Sequence, residues 1–124
     1  MTLPRRKPSK RVYGSRPASG PLRCPAHLKW VRGHQCCIAG QRVHVCSQKM
    51  EAAHVRRGSG AGFGEKPGDD RAISLCQKAH TNQHRLGEVM FEIEYDIDMR
   101  KLAAEFANKS PHLRRLRAKR KERE

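Results

Sequence analysis

The chain is 124 residues long, which is enough for one domain with a modest core and too short for two. It carries a formal charge of +15, and only 5% of its residues are aromatic. No stretch approaches the roughly 20 apolar residues of a membrane-spanning helix, and residues 1–20 lack the apolar segment of a secretory signal. The five cysteines follow no secreted framework, so we expect a cytoplasmic protein without membrane association.

Positive charge is concentrated at the two ends of the chain. Eleven Lys or Arg and no acidic residue precede Glu51, and eight Lys or Arg stand against two acidic residues from Lys109 onward. The segment between them, 51–108, has eight basic and ten acidic residues. Basic ends around a near-neutral middle favour binding to nucleic acid, with an affinity that falls as salt rises. The alternative is that these ends only keep the protein soluble.

The first half of the chain predicts an arm, a short helix and several strands. Residues 1–20 mix charges with proline, glycine and serine, which is typical of a disordered arm. Pro25 and Gly33 would begin and end a helix over 27–32. Three β-prone segments then predict a small hairpin or meander, at 36–38, 43–46 and 53–55.

The second half begins with a glycine-rich loop at 58–68, whose spacing fits neither a dinucleotide fingerprint nor a phosphate-binding P-loop. We expect a short strand at 72–75 and a helix from about 75 to 87. Asp98 is a good N-cap, and Ser110 could cap a further helix that runs into a charged tail. The helix after Asp98 has an apolar stripe at helical spacing, formed by Met99, Leu102, Ala103 and Phe106.

Three histidines carry the strongest chemical signal. His80 and His84 lie four residues apart in a predicted helix, so their imidazoles would project from one face and could bind a divalent metal ion. His54 comes from a preceding strand and could activate water, because an imidazole titrates near neutrality. A single histidine in a strand is usually structural, and a pair on a polar helix is often a coincidence. Together, in a chain of this charge, they favour metal-dependent phosphodiester cleavage.

The residues around these histidines resemble the HNH endonuclease family, most closely its small phage and prophage members. The resemblance covers about residues 22–108. It implies an α+β fold with a small ββα-metal core. We therefore expect an HNH-like domain at 21–108 with flanking helices, between the disordered basic arm at 1–20 and a basic C-terminal helix or tail at 109–124. The matching motifs are Glu-Ala-Ala-His-Val-Arg at 51–56, the glycine-rich loop, Glu-Lys-Pro at 65–67, Asp-Asp-Arg at 69–71, Leu75-Cys76, His80-x3-His84 and Asp-Ile-Asp at 96–98.

The resemblance also implies roles for individual residues. His54 is expected to be the general base, and His80 and His84 are expected to bind a divalent ion, which could be Mg²⁺, Mn²⁺, Ni²⁺ or Zn²⁺. The asparagine that orients the base in the family falls near Asp70 or Arg71 here, and Asp70 could accept from the imidazole N–H instead. Ala53 stands where many relatives have a further ligand, which predicts a weaker metal site.

The expected substrate is DNA rather than RNA. Five basic residues of the middle segment are expected to contact its backbone: Arg56, Arg57, Lys66, Arg71 and Arg85.

Relatives also often carry a structural zinc site made of two Cys-x2-Cys or Cys-x2-His pairs. This chain keeps Cys36 and Cys76 but has Ala39 and Ala79 at the second position of each pair. Because tetrahedral zinc needs four ligands, we expect that this zinc is absent and that the two cysteines remain as buried thiols. The alternative recruits Cys37 or Cys46, with Cys76 and a histidine, into a displaced site.

The sequence therefore predicts a metal-dependent HNH-type endonuclease that hydrolyses DNA. One alternative is a non-catalytic nucleic-acid-binding protein on a degenerate scaffold of the same kind, which the alanines at 39, 53 and 79 would favour. Another is an RNA-packaging or ribosome-associated protein, which explains the charge but leaves the three histidines unexplained.

Overall fold

A computed structural model describes residues 21–41, 44–60 and 66–123, and within them the fold is α+β. The predicted arm at 1–20, Val43 and residues 61–65 of the glycine-rich loop lie outside the described residues. The helices and strands are α1 (Pro25–Arg32), β1 (Met50–His54), β2 (Ala72–Cys76), α2 (Gln77–Leu86), α3 (Glu88–Tyr95), α4 (Met99–Lys109) and α5 (Pro111–Arg123), with one 3₁₀ turn at Asp69–Arg71 before β2.

The two strands form an antiparallel pair at the centre of the fold. Met50 lies opposite Cys76 at one end, and His54 lies opposite Ala72 at the other. Every residue of β2 is buried, because α1 packs against both strands and α4 packs against β2. The strand is therefore apolar almost throughout instead of alternating between apolar and polar residues. α2 begins directly after β2, which gives the local order strand, strand, helix.

Two of the three strand predictions in the first half are wrong. Residues 37–40 form a turn, in which the N–H of Ala39 donates to the carbonyl of Cys36 (2.9 Å). Residues 44–46 have no regular structure. Ile38 is fully buried, so the apolar character of the first segment reflects packing into the core and not pairing in a sheet.

The predicted helices are confirmed, and their capping residues explain where they begin. α1, α2 and α4 lie within two residues of the expected bounds. The carboxylate of Asp98 accepts from the N–H of Lys101 (3.1 Å) at the start of α4. The hydroxyl of Ser110 accepts from the N–H of Leu113 (3.4 Å), and the chain after it is helical up to Arg123.

α3 is a helix that the sequence pattern does not predict. Its inner face places Phe91 and Tyr95 in the core, one turn apart. Its outer face exposes Val89, Met90 and Ile93, each by half or more. Apolar residues on both faces remove the helical period on which a prediction from sequence depends.

The main core joins β1, β2 and the first turn of α2 to α3 and α4. A second, smaller cluster joins the chain before α1 to α4 and α5. Its buried members are Leu22, Cys24, Ala107 and Leu113.

We predict that Phe91→Ala lowers the free energy of unfolding by about 3–5 kcal/mol, because it leaves a cavity in the centre of the core. Ile93→Ala lies on the same helix with its side chain 67% exposed, and it should change stability by less than about 0.5 kcal/mol. Urea denaturation of both variants measures the difference. Equal losses would show that α3 does not pack as described.

Candidate active site and metal-binding cluster

His54 is the last residue of β1, and its ring is held by a buried carboxylate. Nε2 of His54 lies 2.9 Å from Oδ1 of Asp69, which is 2% exposed. The other oxygen of Asp69 accepts from the N–H of Cys24 (2.8 Å), and Arg23 approaches the carboxylate at 3.5 Å. Burial disfavours the charged form of Asp69, but these hydrogen bonds and charges outweigh it and leave its pKa below the ordinary value.

The carboxylate that contacts His54 is therefore that of Asp69 and not that of Asp70, which the resemblance to the HNH family had implied. Asp70 instead lies 3.6 Å from the guanidinium of Arg117 in α5. Both acidic residues belong to the same 3₁₀ turn, where neighbouring side chains leave the backbone in different directions. A shift of one position decides which of them reaches the imidazole.

His80 and His84 face each other on α2. Their Nε2 atoms are 3.1 Å apart, and Nδ1 of His80 lies 3.0 Å from a carboxylate oxygen of Glu51 in β1. Zinc–nitrogen bonds of about 2.0–2.1 Å place two imidazole nitrogens on one ion roughly 2.9–3.4 Å apart. The observed separation is compatible with two ligands on a single ion.

The three histidines line the same cleft, which has a volume of about 940 Å³. It lies between α1, β1 and the histidine face of α2, and Gly87 with the first two residues of α3 closes one side. Basic side chains on its wall include three that were expected to contact nucleic acid: Arg56, Arg57 and Lys66. Arg71 and Arg85 are not among the residues that line it.

Arg57 has an acidic partner inside the protein. Its guanidinium donates to the carboxylate of Glu92 in α3. The backbone N–H groups of Arg56 and Arg57 each donate to the carboxylate of Glu88 (2.8 Å). These bonds hold the segment after β1 against α3, and they compensate the positive charge of Arg57.

Arg85 lies on the opposite face of α2. Its guanidinium donates to the side-chain oxygen of Asn82, with the shorter distance at 2.6 Å. Together with Lys78 it lines a separate, polar cavity of about 580 Å³. Any contact of Arg85 with nucleic acid therefore involves a different surface from the histidine cleft.

A second group of potential metal ligands lies at the other end of the sheet. We call it the Cys/His cluster; its members are Cys36, His44, Cys46 and Cys76, whose donor atoms all lie within 4.8 Å of one another. Nε2 of His44 is 3.3 Å from Sγ of Cys76 and 4.0 Å from Sγ of Cys36. This group could bind a metal ion.

The Cys/His cluster changes the expectation for the cysteines. Cys36 and Cys76 are buried, as predicted, but they do not stand apart from other ligands. Cys46 and a histidine join Cys76, which is the displaced arrangement that the sequence left as an alternative. Cys37 is not a member; its backbone N–H donates to the carbonyl of Ser74 (2.9 Å).

Three residues of these sites have no assigned role from the sequence: Glu51, Asp69 and His44. Glu51 and Asp69 were visible in the sequence as acidic residues near the histidines, but only the folded chain brings Glu51 to His80 and Asp69 to His54. The signal for His44 was its position two residues before Cys46, a spacing that is short for a zinc motif.

Comparison of the chain with protein-family models, with curated proteins and with solved structures finds no match. Within the part of the chain that is described, no helix has the length and apolar character needed to cross a membrane.

We predict that Asp69→Asn lowers the free energy of unfolding at pH 7 by about 1–3 kcal/mol, because it weakens charge-assisted hydrogen bonds in a buried site. Asp70→Asn removes a partly exposed ion pair and should cost less than about 1 kcal/mol. Because the folded pKa of Asp69 is depressed, its contribution is present above the unfolded pKa of about 3.9 and is lost as pH falls through the folded value.

The two variants should therefore differ in their response to acid. Below about pH 5, the parent and Asp70→Asn should lose the Asp69 contribution on acidification, whereas Asp69→Asn should have none to lose. Thermal denaturation between pH 3 and 7 measures this. If Asp70→Asn, and not Asp69→Asn, shows the flatter dependence of stability on pH, Asp69 is not the buried carboxylate that stabilises the fold.

Proposed function

We propose that the protein is a metal-dependent endonuclease that hydrolyses phosphodiester bonds of DNA, with His54 as the general base. The observation that carries the proposal is the single cleft lined by His54, His80 and His84, with a carboxylate on two of the three rings. The chain order β1, β2, α2, with β1 paired to β2, supports a ββα-metal core of the HNH kind.

Asp69 determines which nitrogen of His54 can act as the base. An ionised carboxylate only accepts hydrogen bonds, so Nε2 of His54 must carry the proton that it shares with Asp69. Nδ1 then keeps its lone pair and can take a proton from water. Asp69 fixes the ring and stabilises the imidazolium that forms, as a buried carboxylate does for a catalytic histidine in other hydrolases.

Glu51 orients His80 in a comparable way. If Nδ1 of His80 donates to Glu51, the lone pair of its Nε2 points to the space that it shares with Nε2 of His84. We therefore assign His80 and His84 as the metal ligands. Lewis acidity supplied at these two nitrogens would stabilise the charge on the phosphate oxygens.

Ala53 does not offer a further ligand from the strand. Its side chain is fully buried in the main core, on the side away from the cleft. With two protein nitrogens assigned to the ion, we expect weak metal binding that strengthens when a substrate phosphate completes the coordination.

Lys66 and Arg32 line the cleft and are placed to attract a phosphate into it. The neighbouring Arg57 contributes less positive charge, because its guanidinium is paired with Glu92. This pairing is the observation that favours the alternative of a binding protein without catalysis. We expect the basic ends of the chain to supply most of the affinity for DNA.

We predict that the full chain nicks supercoiled plasmid DNA in the presence of a divalent ion, tested with Mg²⁺, Mn²⁺, Ni²⁺ and Zn²⁺ in turn. His54→Ala should lower the nicking rate about 10²- to 10⁴-fold, which is the usual contribution of a general base. His112→Ala provides a matched control, because His112 lies in α5 and does not line the cleft.

The outcomes distinguish the two candidate functions. Loss of nicking in His54→Ala with full nicking in His112→Ala supports the endonuclease. Equal nicking by the parent and His54→Ala would overturn the assignment of the base. DNA binding without nicking by any of the three proteins would support the non-catalytic alternative.

We also predict that Lys119→Ala with Lys121→Ala weakens DNA binding and lowers its salt dependence, because both side chains are exposed on α5. Each lost phosphate contact should reduce the slope of log K against log salt by about 0.9. Arg100→Ala with Lys101→Ala removes the same charge from α4 in the near-neutral middle segment and should have a smaller effect. Fluorescence anisotropy over a salt series measures both slopes, and equal slopes would argue against binding by α5.

A further inference from the structure

We infer that the Cys/His cluster holds one zinc ion that ties the loop at 44–49 to the first turn of α2. Three sulfurs and one imidazole nitrogen are a donor set that favours zinc, and a full set of four protein ligands leaves no open position for a substrate. The site is therefore structural, and the inference does not depend on the proposed nuclease activity.

The distances fit a tetrahedral ion. Bonds of about 2.3 Å to sulfur and 2.0–2.1 Å to nitrogen place the ligand atoms roughly 3.5–3.8 Å apart. Nε2 of His44 lies 3.3 Å from Sγ of Cys76 and 4.0 Å from Sγ of Cys36, on either side of that range. The whole set lies within 4.8 Å, so small movements of side chains complete the geometry.

The four ligands come from three separate segments of the chain. Cys36 precedes the turn at 37–40, and Cys76 is the last residue of β2. His44 and Cys46 lie in a segment without helix or strand, between that turn and β1. An ion bound to all four would therefore cross-link the turn, the irregular segment and the end of β2.

The loop at 44–49 already contacts α2 at two points. The carbonyl of Lys49 accepts from the N–H of Gln77 (2.8 Å), and the hydroxyl of Ser47 accepts from the N–H of Lys78 (3.1 Å). Sγ of Cys76 also accepts from the N–H of Ala79 (3.4 Å). These bonds satisfy the free N–H groups at the start of α2, and a zinc ion on Cys76 would lock the loop and the helix start together.

The three sulfurs and the imidazole nitrogen of the Cys/His cluster lie close enough to one another for one divalent cation to contact all four. The competing explanation is a disulfide between two of the sulfurs, which a thiol count separates from metal binding.

The test uses the full chain carrying both His80→Ala and His84→Ala, so that zinc in the histidine cleft does not contribute. After purification under reducing conditions, elemental analysis should find about one zinc per chain. Replacement by Co²⁺ should give thiolate-to-cobalt charge-transfer absorption and the visible bands of a tetrahedral site. This readout is independent of any nuclease activity.

Cys46→Ser, added to that protein, should abolish stoichiometric zinc and the tetrahedral cobalt spectrum. Cys46 is exposed, so the substitution should leave the core intact. Cys37→Ser is the matched control, because Cys37 is next to a ligand in sequence but outside the cluster. When a chelator removes zinc from the protein that carries only His80→Ala and His84→Ala, trypsin should cleave it after Lys49 several-fold faster than it cleaves the zinc-loaded form.

Three results would overturn the inference. The first is a zinc content near zero in the parent, with or without a disulfide in the thiol count. The second is equal retention of zinc by Cys46→Ser and Cys37→Ser. The third is loss of zinc caused by the histidine substitutions alone, which would place the ion in the cleft and support the proposed function instead.

Discussion

The pairing of β1 with β2 determines where both candidate sites lie. The register places His54 opposite Ala72 at one end of the sheet and Met50 opposite Cys76 at the other. His54 thereby comes next to the 3₁₀ turn that holds Asp69, and Cys76 comes to the start of α2. A slip of one residue would turn every side chain of β1 to the opposite face of the sheet, so the fully buried β2 specifies the register strongly.

A buried charged group such as the Asp69 carboxylate is stable only where partners in the protein replace the water that it has lost. Asp69 shows the balance most clearly: it is almost fully buried, yet the imidazole of His54 and the N–H of Cys24 bond both of its oxygens. Loss of one partner would leave a buried charge unsatisfied. The same hydrogen bond holds the ring of His54 in one orientation.

Local signals in the sequence were sufficient for part of the fold. Pro25, Asp98 and Ser110 predicted where α1, α4 and α5 begin, because capping depends on a few neighbouring residues. α3 and the turn at 37–40 were missed for the opposite reason. Their apolar residues are explained by contacts with distant segments, and Phe91 and Ile38 reach the core without a regular local period.

The sequence predicted which kinds of residue form the two candidate sites, but it did not predict which of those residues contact one another. Spacing alone placed His80 and His84 on one helix face, since that depends only on helical geometry. Spacing could not choose Asp69 over Asp70, because the direction of each side chain is fixed by the 3₁₀ turn and by the packing of Cys24 and Arg117 around it. The Cys/His cluster likewise joins three segments, and no local pattern encodes such a meeting.

The basic residues of α5 that would attract DNA and the histidines proposed for catalysis lie in different parts of the molecule. Beside the cleft, Glu88 accepts from the backbone of Arg56 and Arg57, and Glu92 pairs with the guanidinium of Arg57. These carboxylates would weaken the attraction of an anionic ligand there. α5, by contrast, is rich in Lys and Arg and fixes only its first turns to the core through Leu113. Arg117 then pairs with Asp70, the neighbour of the carboxylate that holds His54. Under the proposed function, α5 would bind DNA, and its Arg117 is anchored at Asp70, next to the Asp69 carboxylate that contacts His54. A duplex lying along α5 would then approach the side of the molecule where the turn at Asp69–Arg71 lies.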